Sequence, residues 1–135
     1  MLKHVIRLQG AFVVEDDAVQ RAHALRMLQQ SGIDIVYEAC DGVDALALLE
    51  RLPLPPAVMV LDLDMPRMNG IVLIQRLAER KYRPAIIIAS NADTILVNAV
   101  EAIINELNMP LLGSSKKPLT AAFLEKALGR FARSL

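Results

Sequence analysis

The chain is short of residues that several common functions require. Cys40 is its only cysteine, so no internal disulfide can form and no cysteine-rich zinc site can be built. Tryptophan is absent, and three Phe and two Tyr leave little surface for stacking on nucleic-acid bases. Basic and acidic residues number 15 each, so no positive surplus favours a phosphate backbone, and direct nucleic-acid contact is not expected. No apolar run approaches the length of a membrane span. The opening "MLKHVIRLQG" lacks the apolar core and small-residue cleavage site of a signal peptide. Repeats, low-complexity segments and internal linkers are missing too. These absences leave a soluble cytoplasmic domain as the expectation, and 135 residues suit one domain with a sizeable core.

What is present is an alternation of apolar runs and helical patterns. "AFVV" (Ala11 to Val14) reads as a buried strand, followed by Ala18, Ala22, Leu25 and Leu28 at helical spacing up to Ser31-Gly32. "IDIVYEA" (Ile33 to Ala39) is a second strand, with Ile33, Ile35 and Tyr37 opposite Asp34 and Glu38, a pattern that suits an edge. Asp41 is placed to cap a helix to about Leu52, with Val43, Leu46 and Leu49 inward. "AVMVL" (Ala57 to Leu61) and "AIIIA" (Ala85 to Ala89) are further strands. Ile71, Ile74 and Leu77 mark the helix between them. Leu96, Ala99, Ile103 and Leu107 mark a fourth helix, "MPLLG" a short fifth strand, and Pro118 opens a last helix carrying Phe123, Ala127 and Phe131. Strict alternation implies a parallel sheet with helices on both faces, its centre formed by the three most apolar runs.

Ligands of such sheets bind at the carboxyl ends of the strands. There the chain places Glu15-Asp16-Asp17 after strand one, Asp62 after strand three, Ser90-Asn91 after strand four and Lys116-Lys117-Pro118 after strand five. The turn "DLDMPRMNG" is rich in ordinary turn formers, yet its leading aspartate stands where the other polar residues converge. At about 5 Å and an effective dielectric near 20, each like-charge pair costs roughly 3 kcal/mol, so either an acid is protonated or a cation is bound. Hard oxygen donors without His or Cys point to Mg²⁺, with Mn²⁺ as a substitute. A carboxylate beside such a metal is a competent nucleophile toward phosphorus. A hydroxyl and a lysine can then share the phosphoryl oxygens.

From about Gly10 onward the chain resembles the receiver domain of two-component response regulators. "VVEDD", "VLDLDMPRMNG", "IIIAS" and "KKP" occur in order, and "EACDGVDAL" (Glu38 to Leu46) matches the family's second loop and helix. The resemblance implies a flavodoxin-like α/β fold, a doubly wound five-stranded parallel sheet of order 2-1-3-4-5. It also implies three units: an N-terminal extension at 1–9, the receiver at 10–133, and a tail or linker start at 134–135. Asp62 matches the phosphoacceptor. Glu15 and Asp16 match the acidic Mg²⁺-binding pair, Asp16 directly and Glu15 through water, with the backbone carbonyl of Asp64 completing the site. Ser90 matches the switch hydroxyl and Lys117 the lysine that precedes a cis proline.

The activity so implied is that of a signalling switch, enzymatic only in its own phosphorylation and dephosphorylation. A sensor histidine kinase, a phosphotransfer protein or a small phosphodonor would supply the phosphoryl group. An output domain or partner protein would read the fourth helix–fifth strand face. Homodimerisation through the fourth and fifth helices is a further family expectation.

The chain departs from the family pattern at three places. Ser114 stands where many receivers carry an aromatic residue, Asn91 follows Ser90 where Ala or Gly is common, and the segment from Ser90 to Lys117 is longer than usual. That length, with "LLGSSKKPL", resembles receivers fused to EAL-type cyclic-di-GMP phosphodiesterases. Asn91 is placed to crowd or hydrogen-bond a phosphoryl group. Asp17 reads as a helix cap, Asp64 as an outward side chain, and Cys40 as a small loop residue. His4 and His23 read as surface residues, and Asp93, Glu101 and Glu106 as a solvated helix face. Two alternatives remain at this point: a phosphorylation-independent interaction module, and a phosphohydrolase or flavin-binding domain of similar architecture. A flavin site would want a hydroxyl-rich phosphate loop after strand one, where this chain has acids instead.

Overall fold

Five short apolar segments form one parallel sheet: β1 (Ala11–Val14), β2 (Val36–Ala39), β3 (Val58–Leu61), β4 (Ala85–Ala89) and β5 (Leu111–Ser115). Their order is β2-β1-β3-β4-β5, the doubly wound arrangement expected of the sequence. Helices α1 (Ala18–Gln30), α2 (Gly42–Arg51), α3 (Gly70–Glu79), α4 (Thr94–Glu106) and α5 (Ala121–Ser134) alternate with the strands. The computed structural model describes residues 6, 9–65 and 67–134. Most of the expected N-terminal extension, His4, Pro66 of the Met-Pro turn and residue 135 of the expected tail lie outside the described residues.

The sheet separates two apolar layers because successive side chains on a strand point to opposite faces. Ala11, Val13, Val58, Val60, Ala85 and Ile87 pack with Ala24 and Leu28 of α1 and Leu124, Ala127 and Phe131 of α5. Phe12, Val14, Met59, Leu61, Ile86 and Ile88 pack with Ala45 of α2, Leu73, Ile74 and Leu77 of α3, and Val100 and Ile104 of α4. Asp17, Asp41, Asn69 and Asp93 cap α1 to α4, each side chain accepting a backbone N–H of the first turn. Such caps are typically worth about 1 kcal/mol each.

Four local expectations need correction. Strand β2 begins at Val36 rather than Ile33, and Ile35 is substantially exposed, because β2 pairs only with the four residues of β1. Helix α2 starts at Gly42, which turns Ala45, Leu46 and Leu49 inward and leaves Val43 exposed. Helix α4 buries Val100 and Ile104, and Ala99 faces outward. Helix α5 starts at Ala121, three residues after Pro118, because Leu119 is drawn into the core and Thr120 Oγ1 accepts the Phe123 N–H at 3.1 Å.

Candidate functional site

Strand order reverses between β1 and β3, which opens the crevice where doubly wound sheets hold ligands. The two strands run in register from Ala11↔Val58 to Val14↔Leu61, so Glu15 and Asp62 leave the sheet side by side. Sheet-like bonds continue to these residues: the Asp62 N–H donates to the Val14 carbonyl and the Glu15 N–H to the Ala39 carbonyl, each at 3.0 Å. The loop after Asp62 turns tightly across Gly70, where a Cβ would stand 3.0 Å from the Asp62 carbonyl oxygen and 3.1 Å from Leu63 Cα. A side chain there would push this loop away.

Carboxylate oxygens of Glu15, Asp16 and Asp62 lie within 4.8 Å of one another. Glu15 and Asp62 are buried, at 5% and 3% exposure, and Asp16 faces solvent. Lys117 joins them from the β5–α5 loop, its Nζ 2.5 Å from Glu15 Oε1 and 3.3 Å from Asp62 Oδ2. The Asp17 N–H donates to Glu15 Oε2 at 3.1 Å, and Arg21 donates to the Glu15 carbonyl at 2.9 Å. Burial pushes the Glu15 carboxyl up to about 7, against the opposing pull of Lys117 and the Asp17 N–H. Burial depresses the Lys117 ammonium, but Glu15 and Asp62 outweigh it and hold the group above the ordinary lysine value.

One ammonium facing three carboxylates leaves this pocket short of positive charge. The donors are all hard oxygens, and opposite ligands of Mg²⁺ stand only about 4 Å apart, so the cluster fits a small divalent cation. Asp64 does not join the carboxylate cluster by its side chain, which is exposed; its N–H donates to Asp62 Oδ1 at 3.4 Å.

Ser90 occupies the end of β4, buried at 2% exposure. Its Oγ accepts the Ala92 N–H at 3.2 Å, and its N–H donates to the Ser115 carbonyl at 3.0 Å. Asn91 is not turned into the acidic pocket: its Oδ1 accepts the Lys117 N–H at 2.9 Å. Lys116 donates to the Ala92 carbonyl at 3.1 Å, leaving Lys117 alone to meet the acids. Lys117–Pro118 is a cis peptide bond, as the resemblance implied. Ser114 donates to Glu101 Oε2 at 2.6 Å, so Glu101 is a partner of β5 rather than part of a solvated face. Asp93 is the α4 cap. His23 is likewise more than a surface residue, with Nε2 2.7 Å from the Leu119 carbonyl.

Sequence reading assembled the pocket but missed three supporting groups. Arg21 steadies the Glu15 backbone and reaches Glu38 Oε1 at 3.5 Å; only its spacing on α1 hinted at this. Asp41 is more than a cap, because the Arg67 guanidinium from the loop after β3 pairs with it. Residues 26 apart in sequence leave no local signal of that pairing.

Comparison with known proteins adds an independent line. Residues 11–126 match the family described as the response regulator receiver domain. A protein-glutamate methylesterase/protein-glutamine glutaminase of Rhodospirillum rubrum is 33% identical over 91 residues, covering 67% of this chain and 24% of that protein. The chain thus spans about a quarter of the length of the methylesterase relatives it matches. Among solved structures, a two-component response regulator/GGDEF domain protein has a TM-score of 0.79 at 24% identity, over 98% of this chain and 52% of that one. The chemotaxis protein CheY4 of Vibrio cholerae has a TM-score of 0.71 at 23% identity, over 89% and 95%. The last two share the fold. With the sheet order, the acidic pocket and a family match over nearly the whole described domain in agreement, the chain belongs to the response regulator receiver domain family.

Proposed function

We propose that Asp62 is the phosphoacceptor of this receiver and that Glu15 and Asp16 hold the Mg²⁺ ion it needs, with the Asp64 backbone completing the metal site. The observation that carries the reading is the convergence of three carboxylates and Lys117 at the β1/β3 crevice, with Asp62 fixed by a strand-end hydrogen bond. An Asp62 carboxylate oxygen attacks the phosphorus of a phosphohistidine or small acyl phosphate. The bond from phosphorus to the donor breaks, and the donor leaves with its electron pair. Mg²⁺, when bound, neutralises the charge that builds on the phosphoryl oxygens. Lys117 gives up part of its contact with Asp62 and donates to the incoming phosphoryl group. Hydrolysis reverses the gain: water attacks phosphorus and Asp62 leaves as a carboxylate.

Ser90 is the group that gains a partner. Its Oγ accepts the Ala92 N–H, which leaves the hydroxyl proton to donate to a phosphoryl oxygen, a strong, charged acceptor. That difference in contacts biases the β4–α4 loop between two states, as a switch requires. The receiver unit is taken as residues 10–133, with 1–9 as an extension and 134–135 as a tail or linker start. An output domain or partner protein would read the switched face. A structure matched over 98% of this chain at 25% identity is a response regulator/GGDEF domain protein, which supports a signalling output of that kind. Among the described residues no helix is long and apolar enough to cross a membrane.

The test is intact mass after incubation with acetyl phosphate, with and without Mg²⁺, beside Asp62→Asn. A gain of one phosphoryl group that needs Mg²⁺ and is absent in Asp62→Asn is expected. An equal gain in Asp62→Asn would move the acceptor elsewhere. No gain with acetyl phosphate, phosphoramidate or a histidine kinase would favour a phosphorylation-independent interaction module.

A further inference from the structure

The loop from Asp62 to Gly70 carries the proposed acceptor at its start, and an ion pair outside the acidic pocket ties its far side down. Arg67 lies five residues beyond Asp62 and adopts a left-handed backbone, φ +62°, that a non-glycine residue rarely holds without support. Its Nε donates to Asp41 Oδ2 at 2.6 Å, and its terminal nitrogen reaches the same oxygen. Asp41 is 3% exposed, and its other oxygen, Oδ1, accepts the Asp44 N–H at 2.9 Å as the cap of α2. Burial pushes the Asp41 carboxyl up, but the Asp44 N–H and the Arg67 guanidinium outweigh it and hold it below the usual aspartate value.

Packing locks the same two segments together. A Cβ on Gly42 would stand 2.7 Å from Met68 Cγ, so the residue after Arg67 lies directly on the first residue of α2. Met65, on the other side of Arg67, is buried. Within the loop, the Asp64 N–H reaches Asp62 Oδ1 and the Gly70 N–H reaches the Leu63 carbonyl only at 3.4 and 3.3 Å. These internal bonds are long, so the loop's shape rests chiefly on what it packs and pairs with.

We propose that Asp41 and Arg67 form a positioning clamp that holds the backbone of residues 63–65 and 67–69, the Asp64 peptide included, in the shape that Mg²⁺ binding requires. Neither residue touches the reacting atoms; both act through the loop. The proposal rests on the metal site proposed above, and it adds that metal affinity is set in part by the β2–α2 loop. Asp41 is confined by burial and by its capping bond, whereas the Arg67 side chain is 59% exposed, so Arg67 is the member that can be changed without opening the core.

The experiment is an NMR titration of the full chain with Mg²⁺ alone, comparing the unsubstituted protein with Arg67→Ala, Arg67→Lys and Asp41→Asn. Hydrogen exchange at residues 63–65 and 67–69 is followed in the metal-free state. Arg67→Ala is expected to weaken Mg²⁺ binding by about three- to tenfold and to speed amide exchange in the loop, with a modest fall in melting temperature because Asp41 loses its cation. Arg67→Lys should recover part of the affinity, because it keeps the charge but not the forked geometry. Asp41→Asn should resemble Arg67→Ala, because an amide still caps α2 but no longer pairs with Arg67. A merely structural role would move the melting temperature and leave the affinity of the folded fraction alone. If the unsubstituted chain binds Mg²⁺ and Arg67→Ala binds it within twofold with unchanged loop exchange, the clamp is overturned and the metal site stands. If the unsubstituted chain takes up no Mg²⁺, the metal site and the clamp both fall.

Discussion

The two halves of the pocket are built differently. On the β1/β3 side, Glu15 and Asp62 are charged groups in a nearly dry setting, fixed by sheet-like backbone bonds and by Lys117. On the β4/β5 side, Ser90, Asn91 and Ser114 are neutral side chains: Ser90 and Asn91 each accept one backbone N–H, and Ser114 donates to the Glu101 carboxylate. The first half stores electrostatic energy that a cation or a phosphoryl group can relieve. Ser90 and Asn91 have partners that can be exchanged at little cost, since a neutral hydrogen bond contributes only about 0.5–1.5 kcal/mol net. One side is built to hold charge and the other to move. The apolar strands beneath both, each ending abruptly at Glu15, Asp62 or Ser90, supply the common rigid frame.

The largest effect should come from breaking the charged half at its centre. Lys117→Met removes the cation shared by Glu15 and Asp62, and phosphoryl uptake should fall by roughly a hundredfold, as for loss of a charge-stabilising donor. Single-turnover phosphorylation at saturating Mg²⁺ measures it. The same variant should raise the Glu15 carboxyl above about 7, because the group that pulls it down is gone; carboxyl NMR titration reads this directly.

Acidity sharpens the comparison next. The folded Glu15 value of about 7 stands above its ordinary value of 4.5, so the folded state holds an extra proton between these limits. Metal-free stability from this group should therefore be fully present below about pH 4.5 and be lost as pH rises to about 7. Mg²⁺ must displace that proton, so its affinity should rise by up to about tenfold per pH unit below 7 and level off above it. Calorimetry at pH 6 and pH 8 checks this, with proton release at the lower pH only.

On the neutral half the expected effects are smaller. Ser114→Ala removes the bond to Glu101, and phosphoryl uptake should change by less than about threefold, consistent with one hydrogen bond. Asn91→Ala releases the Lys117 N–H and should cost about 0.5–1.5 kcal/mol of stability by chemical denaturation. An effect of Asn91→Ala as large as that of Lys117→Met would dissolve the distinction between the halves.

How legible this was follows from the range of each interaction. Strand cores and the sheet order follow from short apolar runs and their alternation with helices, and the acidic pocket from the residues that end those runs. Asp17 and Asp41 were legible as caps because a cap bonds within its own first turn. The roles of Glu101 and His23 were not, because their partners lie 13 and 96 residues away. The bond from the Lys117 N–H to Asn91 Oδ1 spans 26 residues and had no local signal either. The facing of α2 departs from the sequence pattern at one residue, Val43, because helical rotation is set by the neighbours and not by hydrophobicity alone.

The most direct test of a holding half and a moving half is the backbone amide spectrum with Mg²⁺, recorded without and with a stable beryllofluoride mimic of the acyl phosphate. The account predicts that residues 90–92 and 114–117 shift and exchange new partners, while the amides of residues 11–16 and 58–62 keep their hydrogen-bond protection. Rearranged protection along β1 and β3, with Ser90 and its loop unmoved, would contradict it.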